Sequence, residues 1–266
     1  MDLARRFASL CPYLALEQAG RVLVVRCTDD FALLELDLES KADLERLFDA
    51  ASQSPDVGAV VLLGTERSFG PDVMDRFWRR VLELDGESIA TPHGPMPQTD
   101  FRRGEAGVRQ LALDVRRCSK IVLIALRGEV VTPFLGASLA CDLRVAAEGT
   151  TFLNRAYQFG MPPGGALTYL LPAYVGFGRA SDILLNGRDL SAAEALGLGL
   201  LNRVVPPDAL EAAAIETAER AAAHPPPAVA AVKQLLTQSL LGLAAHYELE
   251  TSLIVRCMCA LADRKP

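Results

Sequence analysis

Basic residues are in deficit in this sequence. Its 266 residues carry 27 Lys and Arg against 33 Asp and Glu, a net charge of −6 with a pI near 5.2, whereas a chain that grips phosphate backbones needs the opposite surplus. A general nucleic-acid binder is thereby excluded, although local basic clusters are not. No stretch of about eighteen consecutive apolar residues occurs, so no membrane-spanning helix is expected, and Arg5-Arg6 is not followed by an apolar segment long enough for a signal sequence. The six cysteines are scattered; Cys27, Cys118 and Cys141 stand in apolar surroundings where a free thiol acts as a small hydrophobe. Reduced thiols in a soluble, cytoplasmic protein are the expectation. Cys257-x-Cys259 lacks the second ligand pair that a zinc site requires, and no metal is expected. Internal repeats and low-complexity segments are also missing.

What is present is a composition half hydrophobic and 23% charged, enough to bury a large core, arranged as alternating strand and helix patterns. RVLVVRC (21–27) and FALLELDL (31–38) predict strands, and KADLERLFDAA (41–51) has helical periodicity. VGAVVLLG (57–64) is a short, almost continuous apolar run, the pattern of a strand buried on both faces. DVMDRFWRRVLEL (72–84) predicts an amphipathic helix, residues 85–100 a mobile loop rich in Gly, Pro and polar residues, and GVRQLALDVRRC (107–118) a further helix. SKIVLIALRG (119–128) and CDLRVAA (141–147) predict strands, and from about residue 163 the pattern is almost wholly helical. An α/β protein with a parallel-sheet core and a helical C-terminal part follows.

Between two of those strands lies GEVVTPFLGASLACD (128–142), in which Thr132-Pro133 opens an apolar helix. Proline suits a first helical turn, where backbone donors lack partners. Those same donors hold anions or oxyanions at helix N-termini, and Pro133 gives one of them up. This loop, the "ACDLRVAAEGTTF" that follows, "FGMPPGGALTYLLPAYVG", and "LLNGRDLSAAEALGLGLLNRVVPPDALEAAA" together resemble the crotonase, or enoyl-CoA hydratase/isomerase, superfamily over about residues 20 to 240. The resemblance implies a spiral of ββα units, taken as a core over 1–200 with a helical region over 201–266 used for trimerisation. It also implies an acyl thioester as ligand, the coenzyme A or phosphopantetheine being part of the substrate, with no separate cofactor.

In that superfamily the thioester oxygen rests between two backbone N–H groups. One donor lies in a Ser/Ala-Gly-x-Asp loop and the other in a triple-glycine turn. Here the first loop reads RSFGPD and places Pro71 at the donor position; the second reads TPF and places Pro133 there. The two glutamates that hydratases use fall on Gly136 and Ala156. General acid-base addition of water needs a positioned proton donor and acceptor, so ordinary hydration is not expected. FLNRAYQFGMPPGGALTYLLP (152–172) looks more like the decarboxylating homologues of polyketide β-branching pathways, which also lack the second glutamate. Loss of carbon dioxide generates an enolate without a base. Two readings stay open: an acyl-thioester lyase or isomerase, and a catalytically inactive homologue acting as a scaffold.

Several polar groups are candidates. Glu129 beside the expected pocket is the foremost carboxylate, against a solvated loop charge; Tyr157 and Asn154 flank the lost glutamate position and are candidate donors to a carbonyl, against satisfied turn residues. Arg67, Arg76, Val130, Phe134 and Ala156 are expected around the substrate. A pocket filled by Val130 and Phe134 would favour the scaffold. Arg76, Arg79 and Arg80 share a helix face at i, i+3, i+4 spacing, and with Arg67, Arg102 and Arg103 suit phosphates or an acidic carrier protein, against a solvated helix face. Asp182 is expected to face solvent or pair with Arg179, and Asp142 to be a structural partner at the sheet. His93, His224 and His246 are weaker candidates. The expected partners are acyl-CoA or an acyl-carrier protein, and the expected assembly is a homotrimer or hexamer.

Overall fold

The computed structural model describes residues 3–7, 14–28, 38–83, 98–238 and 242–262. In chain order the elements are α1 (Leu3–Phe7), β1 (Leu14–Ala19), β2 (Val22–Cys27), α2 (Leu38–Gln53), β3 (Ala59–Leu63), α3 (Pro71–Glu83), α4 (Gln98–Arg117), β4 (Ile121–Leu126), β5 (Glu129–Val131), α5 (Thr132–Ala140), β6 (Leu143–Ala147), β7 (Thr151–Leu153), α6 (Leu167–Val175), α7 (Phe177–Leu185), β8 (Leu190–Ser191), α8 (Ala192–Gly197), β9 (Arg203–Val205), α9 (Leu210–Ala222), α10 (Pro226–Gln238) and α11 (Leu243–Ala262). The main sheet has the order β1-β2-β3-β4-β6-β9, and a smaller one the order β5-β7-β8. Only β1 runs antiparallel in the main sheet; β2, β3, β4, β6 and β9 are parallel.

The continuous apolar strands are explained by burial on both faces. Leu23, Val25, Val60, Leu62, Val122, Ile124 and Leu126 point into the main core with α2, α4 and α5. Their alternating neighbours Val22, Val24, Val61, Leu123, Ala125 and Val145 pack under α9 through Leu210, Ala213, Ala214, Ala218 and Ala222. Alanine on that helix permits close approach: a Cβ on Gly58 would lie 2.8 Å from the Ala222 Cβ. At the outgoing end of β4 the chain crosses to the second sheet through Gly128, which has φ +66° and packs against Glu66, and then runs β5 into α5. β6 repeats the crossing into β7. Because β4 pairs with β6 and β5 with β7, both in parallel, successive ββα units wind as a spiral.

Four expectations need adjustment. Leu38 begins α2 instead of ending a strand, while 29–37, the remainder of the expected 31–38 strand, fall outside the described residues. The helix expected over 107–118 starts at Gln98, so 98–100 are helical; Gly104 and Gly107 weaken the helix signal there, and the rest of the 85–100 loop, with His93, is outside the described residues. β1 is absent from the sequence reading: LALEQA shows only partial alternation, and a hairpin through Gly20 (φ +55°) fixes it against β2. Asp182 is exposed, as expected, but the arginine it pairs with is Arg188, at 2.7 Å, and not Arg179.

Candidate functional site

The outgoing ends of β3, β4, β5 and β7 carry the loops on which the candidate residues sit. The first, Gly64 to Gly70, is folded on itself. Thr65 N–H donates to Ser68 Oγ (3.0 Å), Arg67 and Ser68 N–H to Thr65 Oγ1 (both 3.2 Å), and Gly70 N–H to the Arg67 carbonyl (3.2 Å). Pro71, the next residue, opens α3 and has no N–H to offer. This loop's donors are therefore largely spent within it.

The second loop ends in α5, whose nine residues are all buried. Val131 is its N-cap and supplies no side-chain cap; the Val131 N–H instead donates to the Phe69 carbonyl at 2.9 Å, tying the two loops together. A buried helix N-terminus without a cap leaves first-turn amides needing acceptors. Pro133 removes one, and the amides of Thr132 and Phe134 have no acceptor within the helix. Thr132 is 2% exposed, and its Oγ1 has no hydrogen-bond partner among the described residues. Beside it, Asn154 leaves β7 where Thr132 leaves β5, since Val131 pairs with Leu153. The Asn154 N–H donates to Asp189 Oδ1 at 2.8 Å, yet both side-chain amide atoms are buried and unpartnered among the described residues. One hydroxyl and one carboxamide thus stand unsatisfied at the ends of adjacent parallel strands, next to an uncapped helix start. Buried polar atoms are normally paired with protein, water or a ligand, so these atoms are open to a further partner.

Positions 136 and 156, where the resemblance implied glutamates, have different surroundings. A Cβ placed on Gly136 would lie 2.1 Å from the Gly165 carbonyl oxygen, and one on Gly165 would lie 2.2 Å from the Pro133 carbonyl oxygen. Backbone fills the space where a side chain at 136 would stand. Ala156, on a short 3-10 turn over 156–159, is buried at 2% exposure.

The remaining candidates are dispersed. Glu129 is exposed at the incoming end of β5, opposite Thr151, at the far end of the short ribbon from Asn154. Tyr157 is 47% exposed with its ring against Gly187. Val130 and Phe134 lie in the main core, the Phe134 ring 5.1 Å from Phe69. Arg67 is exposed and 3.9 Å from Asp72; Arg76 is exposed on α3, while the side chains of Arg79, Arg80, Arg102 and Arg103 are outside the described residues. Asp142 Oδ2 accepts from the Val122 N–H (2.7 Å) and the Lys233 ammonium (2.6 Å), the structural role expected of it. His224 is exposed. His246 on α11 hydrogen-bonds Thr168 at 2.8 Å, and burial holds its imidazole below the usual range. Sequence reasoning missed Thr132, although the Thr-Pro start of a helix carrying no other polar first-turn residue was a usable signal.

A family model described as enoyl-CoA hydratase/isomerase matches residues 86–258. The chain is 27% identical to a short-chain-enoyl-CoA hydratase of Clostridium acetobutylicum, covering 85% of this chain and 81% of that one. It is 31% identical to a 4-chlorobenzoyl coenzyme A dehalogenase-2 of Arthrobacter sp, covering 80% and 73%. Among solved structures, the enoyl-CoA hydratase from Bacillus halodurans superposes with a TM-score of 0.76 over 92% of this chain and 95% of its own, at 21% identity, a likeness of fold.

Proposed function

Because the chain belongs to the enoyl-CoA hydratase/isomerase family, we propose that it processes an acyl thioester of coenzyme A or of a carrier protein as a lyase or isomerase, and not as a hydratase. The observation that carries this reading is the unpartnered Thr132 hydroxyl at the buried, uncapped start of α5. In the proposed site the Thr132 O–H and the Asn154 amide N–H donate to the thioester oxygen, taking over from the backbone donors that prolines have replaced. Hydrogen bonds aimed at an oxygen that gains charge stabilise the charged state more than the ground state. A decarboxylating step fits this equipment: the C–C electron pair of an α-carboxyacyl thioester moves into the thioester carbonyl, carbon dioxide leaves, and the enolate takes a proton from water. No glutamate is required for the bond cleavage. Related proteins extend beyond hydration, since one is named as a dehalogenase.

The scaffold reading has its own support in the spent amides of the Gly64–Gly70 loop and in the burial of Val130 and Phe134. Calorimetric titration with a non-hydrolysable acyl-CoA analogue separates the two. Binding that weakens about tenfold or more in Thr132→Val, a nearly isosteric loss of one hydrogen-bond donor to a charged or polarised oxygen, supports the enzyme; no binding at millimolar analogue refutes it. Assembly as a trimer or hexamer is part of the same proposal, supported by the exposure of Val232, Leu235 and Leu236 on α10 and of Leu249 and Leu253 on α11.

A further inference from the structure

At the incoming end of the main sheet, away from the loops described above, a cavity of about 590 Å³ lies between the end of α4, helix α10 and the start of α11. Its wall carries Arg116, Arg117 and Lys233, and no carboxylate is among its described lining residues. Lys233 is the only buried residue of α10 among those described. Its ammonium donates to the Lys120 carbonyl at 2.7 Å and to Asp142 Oδ2 at 2.6 Å, which leaves one of three N–H donors over and neutralises its charge through Asp142. Arg116 donates to the Leu139 carbonyl at 2.9 Å through Nη2, while its Nε is buried without a partner among the described residues. The wall therefore carries a half-buried arginine with one spare donor and an exposed arginine, and no carboxylate is among its described lining residues, in a protein that is acidic overall.

A buried donor such as the Arg116 Nε is costly unless an acceptor meets it, and guanidinium forks match the oxygens of phosphate in pairs. The volume suits a small organic molecule. Gln234 and Gln238 add neutral hydrogen-bonding groups, and Leu243 with Leu113 an apolar wall. We infer that this cavity binds a phosphate-bearing small molecule, with Arg116 and Arg117 holding the phosphate and Lys233 lending its remaining donor. The site is distinct from the α5 site: the six residues of β4 separate Ser119, on the cavity wall, from Gly128, a span of about 20 Å at about 3.3 Å per residue. Occupation would fasten α10, which the buried Lys233 anchors to the sheet.

Calorimetry at low salt with inorganic pyrophosphate on the intact chain tests this. The expected result is saturable binding with a Kd at or below about 1 mM, weakened tenfold or more in Arg117→Glu, whose side chain is exposed and whose replacement leaves the core untouched. Affinity should be kept in Arg179→Glu, a charge reversal at an exposed residue of α7 that is not on the cavity wall. Tighter binding of phenyl phosphate than of inorganic phosphate would identify an organic ester as the ligand; equal binding would identify the inorganic ion. No saturable heat at millimolar pyrophosphate, or loss in Arg179→Glu with retention in Arg117→Glu, overturns the inference. Because the readout does not involve the α5 site, failure here leaves the acyl-thioester reading standing.

Discussion

Replacing Gly136 by alanine should destabilise the protein, against the ordinary trend. In a helix interior Gly→Ala normally gains about 0.5–1 kcal/mol. At this position the new Cβ would lie 2.1 Å from the Gly165 oxygen, 2.8 Å from its carbonyl carbon and 3.0 Å from the Leu167 nitrogen. Ordinary contact needs more than 3 Å, so backbone must shift by about 1 Å, and both partners are held. Gly165 has φ +72° and itself presses on the Pro133 backbone, while Ala166 N–H is bound by the buried Glu250 carboxylate at 3.0 Å. Overpacking of this kind costs about 1–3 kcal/mol and sometimes more, and here the obstacle is backbone. A net loss of about 2–4 kcal/mol is expected, or roughly 4–16 °C in Tm at about 2–4 °C per kcal/mol. Scanning calorimetry of Gly136→Ala beside Gly149→Ala provides the check. Gly149 has φ +82° and nothing within 4 Å of an added methyl, so it should lose only about 1 kcal/mol from its left-handed conformation. An unchanged or raised Tm in Gly136→Ala would refute the close-packing account. By the same reasoning Gly136→Glu should fold worse still and gain no hydratase activity.

Other outcomes follow from single observations. The natural protein should not hydrate crotonyl-CoA, because neither glutamate position carries a carboxylate; turnover within about 1–1000 per second, followed by loss of enoyl absorbance, would contradict this. Asp114 is buried with Oδ2 unpartnered among the described residues, and desolvation pushes its carboxyl up to about 6. Since its folded pKa lies above the unfolded value, this residue's favourable contribution is complete below about 4 and is lost as pH rises through about 6, so Asp114→Asn should be more stable than the natural protein at pH 8 by about 1–3 kcal/mol and lose that advantage at pH 4. Urea titrations at both pH values decide it. Leu235→Glu with Leu236→Glu should convert an assembly to monomers by light scattering if α10 is a contact surface; a natural protein that is monomeric at micromolar concentration would remove that proposal.

The parallel sheet was legible because β3 and β4 bury both faces, leaving continuous apolar runs of Val, Leu and Ile. Strands of two or three residues were not: β5, β7 and β8 are too short for any period to show, and they exist through pairing with residues about twenty to forty positions away. Pro71, Pro133, Gly136 and Ala156 stood out only against the residues that the resemblance implies at those positions, not through any pattern of their own. Their surroundings could not be read. The contact of Gly136 with Gly165 joins residues on separate elements, and whether the Thr132 hydroxyl finds a partner depends on every neighbour of α5. Partner choice among several arginines, as at Asp182, likewise turns on distances that spacing along one helix does not supply.

The pattern of loss and retention at α5 bears on whether the site still has a duty. A site relaxed from catalysis would be expected to accumulate satisfied or apolar residues, because an unpaired buried hydroxyl or carboxamide costs about 1–3 kcal/mol. Gly136, Gly165 and Pro133 are packed backbone to backbone, which leaves no room for a side chain at 136. A few residues away the opposite holds: Thr132 and Asn154 keep three buried polar atoms without partners, among the described residues, at the ends of paired strands. Valine at 132 would preserve the shape and remove the cost. Under the reading proposed above, a closed half beside an unsatisfied half marks a change of chemistry, and Thr132→Val tests that reading twice. If the hydroxyl serves a ligand, the variant is more stable than the natural protein yet binds the thioester analogue more weakly. If it serves nothing, stability rises and binding does not change.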